Sequence, residues 1–207
     1  MRLQSGLNIR HPIKELEQMT RRWFPVYDGV VVPQDNILRP IEIALSVMLN
    51  SQISGNTAAL IWEHRGEVER YLTNISAQID LIDVPADSEI PGIGSIASAF
   101  ESLCALRRVK FGIAAKILHK KRPALIPIID SRVYGYYHKH VIHRWQGGLS
   151  WGQQIVMLIV QFHRDMLSVE SELRDLSNRI RAKGTPLSHV RILDYFLWRA
   201  GRERVVL

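Results

Sequence analysis

The most constraining feature of the chain is a run of apolar residues, between positions 155 and 176, spaced alternately four and three apart. This spacing places the side chains on one stripe of an α-helix, whereas a half-buried strand alternates apolar and polar residues. The stripe comprises Ile155, Ile159, Phe162, Met166, Val169, Leu173 and Leu176. It predicts one long helix, and two roles stay open for it: a core or lobe-spanning element, or a seam between two copies of the chain.

No segment of the sequence shows the two-residue alternation of a strand, so the predicted fold class is all-α, with about eight to ten helices. The helix that begins at Pro40 has Glu42 as its only charge before Glu63, which predicts burial on nearly all sides. A further helix over residues 131–144 and a last helix capped by Ser188 and closed by Gly201 are also expected.

The charge and the cysteine content limit the kinds of partner and prosthetic group that the chain can bind. The net charge of +7 favours a polyanion such as nucleic acid. Cys104 is the only cysteine, which excludes an internal disulfide and an iron-sulfur cluster held by this chain's thiolates, and it reads as an inert core thiol. No apolar run approaches the roughly 20 residues of a membrane span, so a cytoplasmic location without a membrane partner is expected.

Residues 106–134 carry an unusual charge pattern. No acidic residue lies between Glu101 and Asp130. The basic residues in this interval are Arg107, Arg108, Lys110, Lys116, Lys120, Lys121 and Arg122. If the flanking segments are helices, residues 107–112 form a tight turn whose free amides, with Arg108 and Lys110, suit a DNA phosphate. The alternative is an ordinary helix-turn-helix corner with solvated cations.

Residues 108–133, RVKFGIAAKILHKKRPALIPIIDSRV, resemble the helix-hairpin-helix and aspartate loop of the helix-hairpin-helix DNA glycosylase superfamily, which includes endonuclease III and the adenine glycosylases. Residues 127–133, PIIDSRV, match that family's P-h-h-D-x-x-V segment at each position. Residues 46–54, SVMLNSQIS, are similar to its LLSAQ helix end. The resemblance implies hydrolysis of the N-glycosidic bond of a damaged or mismatched base, flipped out of double-stranded DNA, in base excision repair.

The resemblance also implies an organisation and a set of site residues. It predicts one two-lobed unit over residues 1–207, with residues 41–121 as the hairpin lobe and residues 1–40 plus 122–207 as the other. Asp130 would be the catalytic carboxylate, although an N-cap role is compatible with the same position. Gln52, with Asn50, would fill the gap left by the base. The remaining DNA contacts would be Arg108, Lys110, Gly112, Lys116, Lys120, Lys121, Arg122 and Arg132.

The chain departs from the family pattern at several positions. The glycine pair of the hairpin is replaced by residues 108–110, RVK, while the better-fitting turn at residues 91–94, PGIG, lies too far from Asp130. The position of the family's Schiff-base lysine aligns with Gly112, which favours hydrolysis without a lyase step; Lys110 and Lys116 stay as weaker amine candidates. The position of the adenine-specific glutamate aligns with Ser46.

No cofactor is expected. A zinc site among His138, His140 and His143 is disfavoured, because only the last two share a helix face and no carboxylate accompanies them. Two other functions stay open: a non-catalytic DNA-binding protein on a glycosylase-like scaffold, and a helical protein-interaction domain that uses the 155–176 stripe as its seam.

Overall fold

The computed structural model describes residues 1–49, 51–140 and 148–202, and it confirms the all-α class. Ten α-helices occur in these ranges, where the only β-pairing is an isolated bridge between Arg2 and Asn8. The helices are α1 (Pro12–Trp23), α2 (Pro40–Met48), α3 (Gly55–Glu63), α4 (Arg65–Leu72), α5 (Ile93–Ala105), α6 (Phe111–Lys121), α7 (Ser131–His140), α8 (Trp151–Ser168), α9 (Glu170–Arg181) and α10 (His189–Arg202). None of them is long and apolar enough to cross a membrane.

The apolar stripe forms two helices rather than one. The chain leaves helical geometry at Val169, with a φ of −135°, so α8 ends and α9 begins there. All seven stripe residues are nonetheless buried in the main core, where α5 packs against α8. The core interpretation is therefore confirmed, and a seam between two copies of the chain is excluded for this stripe.

The helix α2 differs from its prediction. It ends at Met48, and its apolar residues Ile41, Val47 and Met48 are 42%, 45% and 53% exposed. Its single charge, Glu42, is instead completely buried and accepts a hydrogen bond from the backbone N–H of Arg39. The prediction of all-round burial is wrong because a count of apolar residues does not show which faces of the helix other elements cover.

The predicted turn between α5 and α6 is confirmed. Arg108 occupies the left-handed region with a φ of 70°, a conformation that is costly for a residue with a Cβ and that the glycine of other hairpins adopts freely. The backbone N–H of Val109 donates to the carbonyl of Leu106 at 3.0 Å, which closes the turn. Phe111, at the start of α6, packs on Phe100 with 5.2 Å between ring centroids and so anchors the hairpin to the core.

The last helix approaches α7 closely. Ser188 caps α10 as predicted, since its Oγ accepts from the backbone N–H of Arg191 at 3.1 Å. Gly201 does not end the helix, which continues to Arg202. A Cβ at Gly201 would lie 2.4 Å from the carbonyl oxygen of Arg132, so this glycine permits the contact between the two helices. The division of the chain into two lobes stays a prediction.

Candidate active site

A cavity of about 230 Å³ lies where α6, α7 and α10 meet the segment that follows α2. Its walls include Lys116 from α6, Arg132 from α7, and Leu49 after α2. The helix α10 contributes four residues spaced at one face of the helix: Arg191, Asp194, Tyr195 and Trp198. Asp130, which precedes α7, completes the polar lining. The cavity therefore holds three cationic and two carboxylate side chains.

Asp130 has the position that the sequence predicts for it. Its Oδ1 accepts from the backbone N–H groups of Arg132, at 2.9 Å, and Val133, at 3.2 Å, so it caps α7. A Cβ on Gly112 would lie 3.4 Å from the Cα of Asp130, which shows that the first turn of α6 touches this residue. The hairpin and the aspartate loop thus meet at the cavity. The N-cap role is confirmed, and the catalytic role stays a prediction.

A second carboxylate, Asp194, lies in the same cavity and is 1% exposed. Its Oδ2 accepts a hydrogen bond from Nη1 of Arg191, while its Oδ1 has no hydrogen-bond partner in the described part of the chain. Burial raises the pKa of Asp194 to about 7, with Arg191 acting in the opposite direction and the charge of Asp130 adding to the rise. Asp194 therefore takes up a proton at a higher pH than an exposed aspartate does.

Arg191 holds this wall of the cavity in place. Its Nε donates to Oδ1 of Asp28 at 2.6 Å, and its guanidinium also pairs with Asp194. Tyr195 donates its hydroxyl to Oδ2 of Asp28 at 2.5 Å. Burial opposes the charge of Asp28, yet Arg191 and Tyr195 leave its pKa below the usual value. A network of two carboxylates around one guanidinium fixes α10 against the segment after α1.

Arg132 lines the cavity with a partly unpaired guanidinium. The guanidinium carbon lies 4.3 Å from the centre of the Trp198 ring, a cation–π arrangement. Its Nη1 is buried and, in the described part of the chain, has no hydrogen-bond partner. The sequence predicts Arg132 as a nucleic-acid contact, and the structure places it in the cavity rather than on a phosphate-facing surface.

Lys116 is buried, and it fastens the segment after α2 to α6. Its Nζ donates to the carbonyl of Leu49 at 2.6 Å and to Oγ of Ser51 at 2.9 Å. Burial lowers the pKa of this amine. Gln52 follows Ser51 in the chain and is exposed. A residue that enters a DNA duplex is expected to be exposed. Asn50, predicted to act beside it, lies outside the described residues.

Lys121 points into the protein. It is 0% exposed, and its Nζ donates to the carbonyl oxygens of Pro33 and Ile37 and to Oδ1 of Asp35, all within 2.8 Å. The same amine lies 3.2 Å from Oε1 of the buried Glu42. The ammonium therefore joins α6 to α2 and to the segment between α1 and α2.

Lys120 and Arg122 follow the same pattern. The Nζ of Lys120 donates to the carbonyl of Tyr27 at 2.5 Å and lies 4.2 Å from the centre of that ring. Arg122, 2% exposed, donates to the carbonyls of Ile75 at 2.6 Å and Leu72 at 2.9 Å. Both side chains donate to carbonyl groups at or just beyond the ends of helical segments.

The predicted phosphate contacts are therefore wrong for four cations: Lys116, Lys120, Lys121 and Arg122. A charge count along the sequence gives no direction to the side chains, and these face irregular backbone segments that need donors. The exposed cations of the interval are Arg107, Arg108 and Lys110, which lie at the turn before α6. Because Arg108 and Lys110 are exposed, their phosphate contacts stay predictions.

The histidine cluster shows no metal site in the described residues. No group of three or more His, Cys, Asp or Glu side chains there could hold an ion. His138 stacks on Tyr134 with 6.0 Å between ring centroids, and His140 packs on Tyr136 with 4.9 Å between ring centroids, while His143 lies outside the described part.

Burial raises the pKa of the Cys104 thiol to about 12, as expected of an inert core thiol.

The sequence points to Asp130, Lys116 and Arg132 but not to the α10 wall. The run from Arg191 to Trp198 reads as core packing with a buried polar pair, and that pair is present. A sharper signal exists in the spacing of Arg191, Asp194, Tyr195 and Trp198, because polar groups at positions i, i+3, i+4 and i+7 share one helix face. Polar residues concentrated on one face of an otherwise apolar helix need partners or line a cavity.

Fold and cavity together define an all-α protein with a small polar cavity that carries two carboxylates. Residues 42–201 match the family of unknown function DUF6308, and the chain belongs to that family. None of the curated proteins matches the chain. No solved structure matches it either.

Proposed function

We propose that this chain is a DNA-binding base-excision enzyme that hydrolyses the N-glycosidic bond of a damaged or mismatched base flipped out of duplex DNA. One observation carries the proposal: Asp130 is fixed at the start of α7, touches the hairpin at Gly112 and lines a cavity. These features bring together the two segments whose sequences resemble the helix-hairpin-helix DNA glycosylases.

The size of the cavity suits a single base. A cavity of about 150 Å³ accommodates benzene, so the cavity of about 230 Å³ has room for one heteroaromatic ring. Leu49 and Ile128 supply apolar lining, and the Trp198 ring contributes to the wall. Extrusion of a base costs a few kcal/mol of unstacking, which such a lining with polar partners for the ring edge offsets.

The chemistry assigned to Asp130 is electrostatic. As the bond between C1′ and the base nitrogen breaks, its electron pair leaves with the base and positive charge develops on the sugar. The carboxylate, held by two amides, stabilises that charge. Water then adds its hydroxyl to C1′, and its proton balances the charge on the departing base. Asp130 either orients this water or relays its proton to the departing base.

Positioning of the duplex falls to the hairpin and to Gln52. Arg107, Arg108 and Lys110 are exposed beside the free amides at the start of α6, where an anionic phosphate is favoured. Gln52 is exposed after the segment that Lys116 fastens, and it would fill the gap left in the stack.

A panel of duplexes, each with one deaminated, oxidised, alkylated or mismatched base, tests the proposal directly. Free base is measured by mass spectrometry, and DNA affinity is measured in parallel. The wild-type protein should release at least one base, and Asp130→Asn should release none while its DNA affinity stays equal or rises. The matched control is Asp87→Asn, which changes an exposed carboxylate in a loop. Release by Asp130→Asn would contradict the assignment.

Borohydride trapping in the same reactions separates hydrolysis from a lyase step. We expect no covalent adduct between protein and DNA, since Gly112 occupies the position of the family's reactive lysine. The amine of Lys116 lines the cavity, but it is held by Leu49 and Ser51. An adduct that disappears in Lys116→Met would instead assign a lyase.

A non-catalytic DNA-binding protein is the second candidate, and the left-handed Arg108 in place of a hairpin glycine favours it. Tight duplex binding without release of any base in the panel would select it. The protein-interaction domain has lost its main support, because the stripe proposed as its seam lies in the core.

A further inference from the structure

We infer that Asp194 and Arg132 read the edge of the bound base, and that the cavity takes oxo-bases, heterocycles that carry N–H and C=O groups, in preference to cationic alkylated bases. This inference rests on the proposed function and specifies its substrate class. It starts from two buried polar atoms that lack hydrogen-bond partners in the described part of the chain and that belong to residues lining one cavity: Asp194 Oδ1 and Arg132 Nη1.

Unpaired buried polar atoms are rare in folded proteins and disfavour the empty state. The two oxygens of Asp194 are not equivalent, because Arg191 occupies Oδ2 and leaves Oδ1 as the available acceptor. Oδ1 therefore calls for an N–H donor on the ligand. An apolar ligand of the same size would leave both atoms unpaired.

Arg132 supplies the complementary requirement. A guanidinium is a donor and never an acceptor, so Nη1 calls for a carbonyl oxygen or a ring nitrogen on the ligand. The stacking of the guanidinium on Trp198 fixes its plane, which leaves little conformational freedom to lose on binding. Together the two atoms ask for a ring edge that carries both a donor and an acceptor.

The charge of the lining selects among such rings. Lys116, Arg132 and Arg191 supply three positive charges, and Asp130 and Asp194 supply two negative charges when both are ionised. Asp194 is already paired with Arg191, and the proposed reaction assigns Asp130 to the sugar, so a cationic base meets the charges of Arg132 and Lys116. A neutral base with an added carbonyl fits this field, whereas a base made cationic by alkylation is repelled. Deamination and oxidation both add carbonyl groups to bases.

Free heterocycles test the inference without any cleavage. Uracil and 1,3-dimethyluracil share a ring and both carbonyls, but methylation removes the two N–H donors. Binding to the wild-type protein is measured by NMR titration at pH 8, above the raised pKa of Asp194. Uracil and hypoxanthine should bind at least about tenfold more tightly than 1,3-dimethyluracil and than 3-methylcytidine, an alkylated base that is mainly cationic at this pH.

Two variants assign the effect to its residues. In Asp194→Asn, Arg191 keeps the carbonyl oxygen, so the amide N–H₂ faces the cavity and the acceptor becomes a donor. The preference should then shift from uracil toward 1,3-dimethyluracil, a reversal that a merely structural role does not produce. Arg132→Met keeps the apolar stem against Trp198 and should weaken uracil binding about tenfold. The control Arg65→Met removes a guanidinium that stacks on Trp62 outside the cavity, and it should leave uracil binding unchanged.

Equal affinity for uracil and its dimethyl derivative, tighter binding of the cationic base, or no binding of any heterocycle would overturn the inference. The ligand comparison in the wild-type protein stands even if Asp194→Asn fails to fold. The two proposals also fail separately: uracil binding without base release from any duplex contradicts the proposed function alone. Base release that does not discriminate oxo-bases from cationic bases contradicts this inference alone.

Discussion

Asp130 serves structure and proposed chemistry with different atoms. Its Oδ1 is committed to two amides of α7, so the cap fixes the carboxylate before any substrate arrives. Asparagine preserves an N-cap almost as well as aspartate does. Asp130→Asn therefore removes the charge and leaves the helix start in place, which makes it the informative substitution at this site.

The protonation of the buried His119 is expected to lower stability at acidic pH. It is 3% exposed, and its Nδ1–H donates to the carbonyl of Ile126 at 2.6 Å. Burial, with the charge of Arg191, lowers its pKa to about 3. The unfolded chain takes up this proton near pH 6.5 and the folded chain does not, so the stabilisation is complete above that pH and is lost as the pH falls.

We predict that acidification from pH 6.5 to pH 4 lowers the unfolding free energy by about 1.4 kcal/mol per pH unit on account of this one residue. In His119→Gln this contribution to the slope should disappear, although the variant is less stable at neutral pH. The exposed His138→Gln serves as the control and should keep the wild-type slope. Chemical denaturation at a series of pH values measures this, and identical slopes in all three proteins would contradict the prediction.

At the scale of elements, α6 is a structural connector rather than a DNA-facing surface. Its ammonium at Lys121 neutralises Glu42 in α2 and Asp35 in the preceding segment. Removal of one partner from a buried ion pair leaves the other charge unpaired, which typically costs about 3–5 kcal/mol. Lys121→Met should therefore lower the unfolding free energy by that order.

Lys110→Met is the matched comparison. It also removes one lysine charge, but at the exposed start of α6 instead of at its buried end. It should leave stability unchanged and reduce the salt dependence of DNA binding by about one unit of slope. Denaturation and salt titrations on both variants decide the point. A Lys121→Met protein of wild-type stability with weakened DNA binding would show that this lysine reaches the phosphates after all.

The contact between α7 and α10 forms one wall of the cavity, and Gly201 makes it possible. An added Cβ would lie 2.4 Å from the carbonyl oxygen of Arg132, and a backbone atom has no rotamer by which to move away. We predict that Gly201→Ala forces the helices apart, costs about 1–3 kcal/mol and lowers ligand binding in the cavity. Gly135→Ala is the control within α7, because a Cβ there has open space and alanine favours a helix. Equal stability of the two variants would refute the close packing.

The sequence predicts the helices far better than it predicts the direction of their charges. The spacing of apolar residues predicts the core face of α8 and α9, because residues three and four positions apart lie on one face of a helix. Lys120 and Lys121 point inward because they donate to carbonyl groups of residues 27–37, which only the tertiary structure brings beside α6. The position of Asp194 in the cavity could not be predicted for the same reason, because it depends on the contact between α7 and α10 at Gly201.

At the scale of the whole molecule, the net charge of +7 overstates the surface available to a polyanion. Four of the seven cations in the most basic interval are buried and serve the fold. The exposed cations of that interval lie at the turn before α6, close to the first turn that touches Asp130. A short phosphate-binding turn beside a base-sized cavity is the arrangement on which the proposed function depends.

Affinity for a charged mimic of the reacting sugar tests this arrangement without knowledge of the damaged base. Duplexes are compared that contain either a cationic pyrrolidine or a neutral tetrahydrofuran abasic analogue, with wild-type protein and with Asp130→Asn. A carboxylate that stabilises an oxocarbenium-like sugar should favour the cationic analogue by at least about tenfold, and Asp130→Asn should lose that preference. Equal affinity of the wild-type protein for the two duplexes would contradict the account.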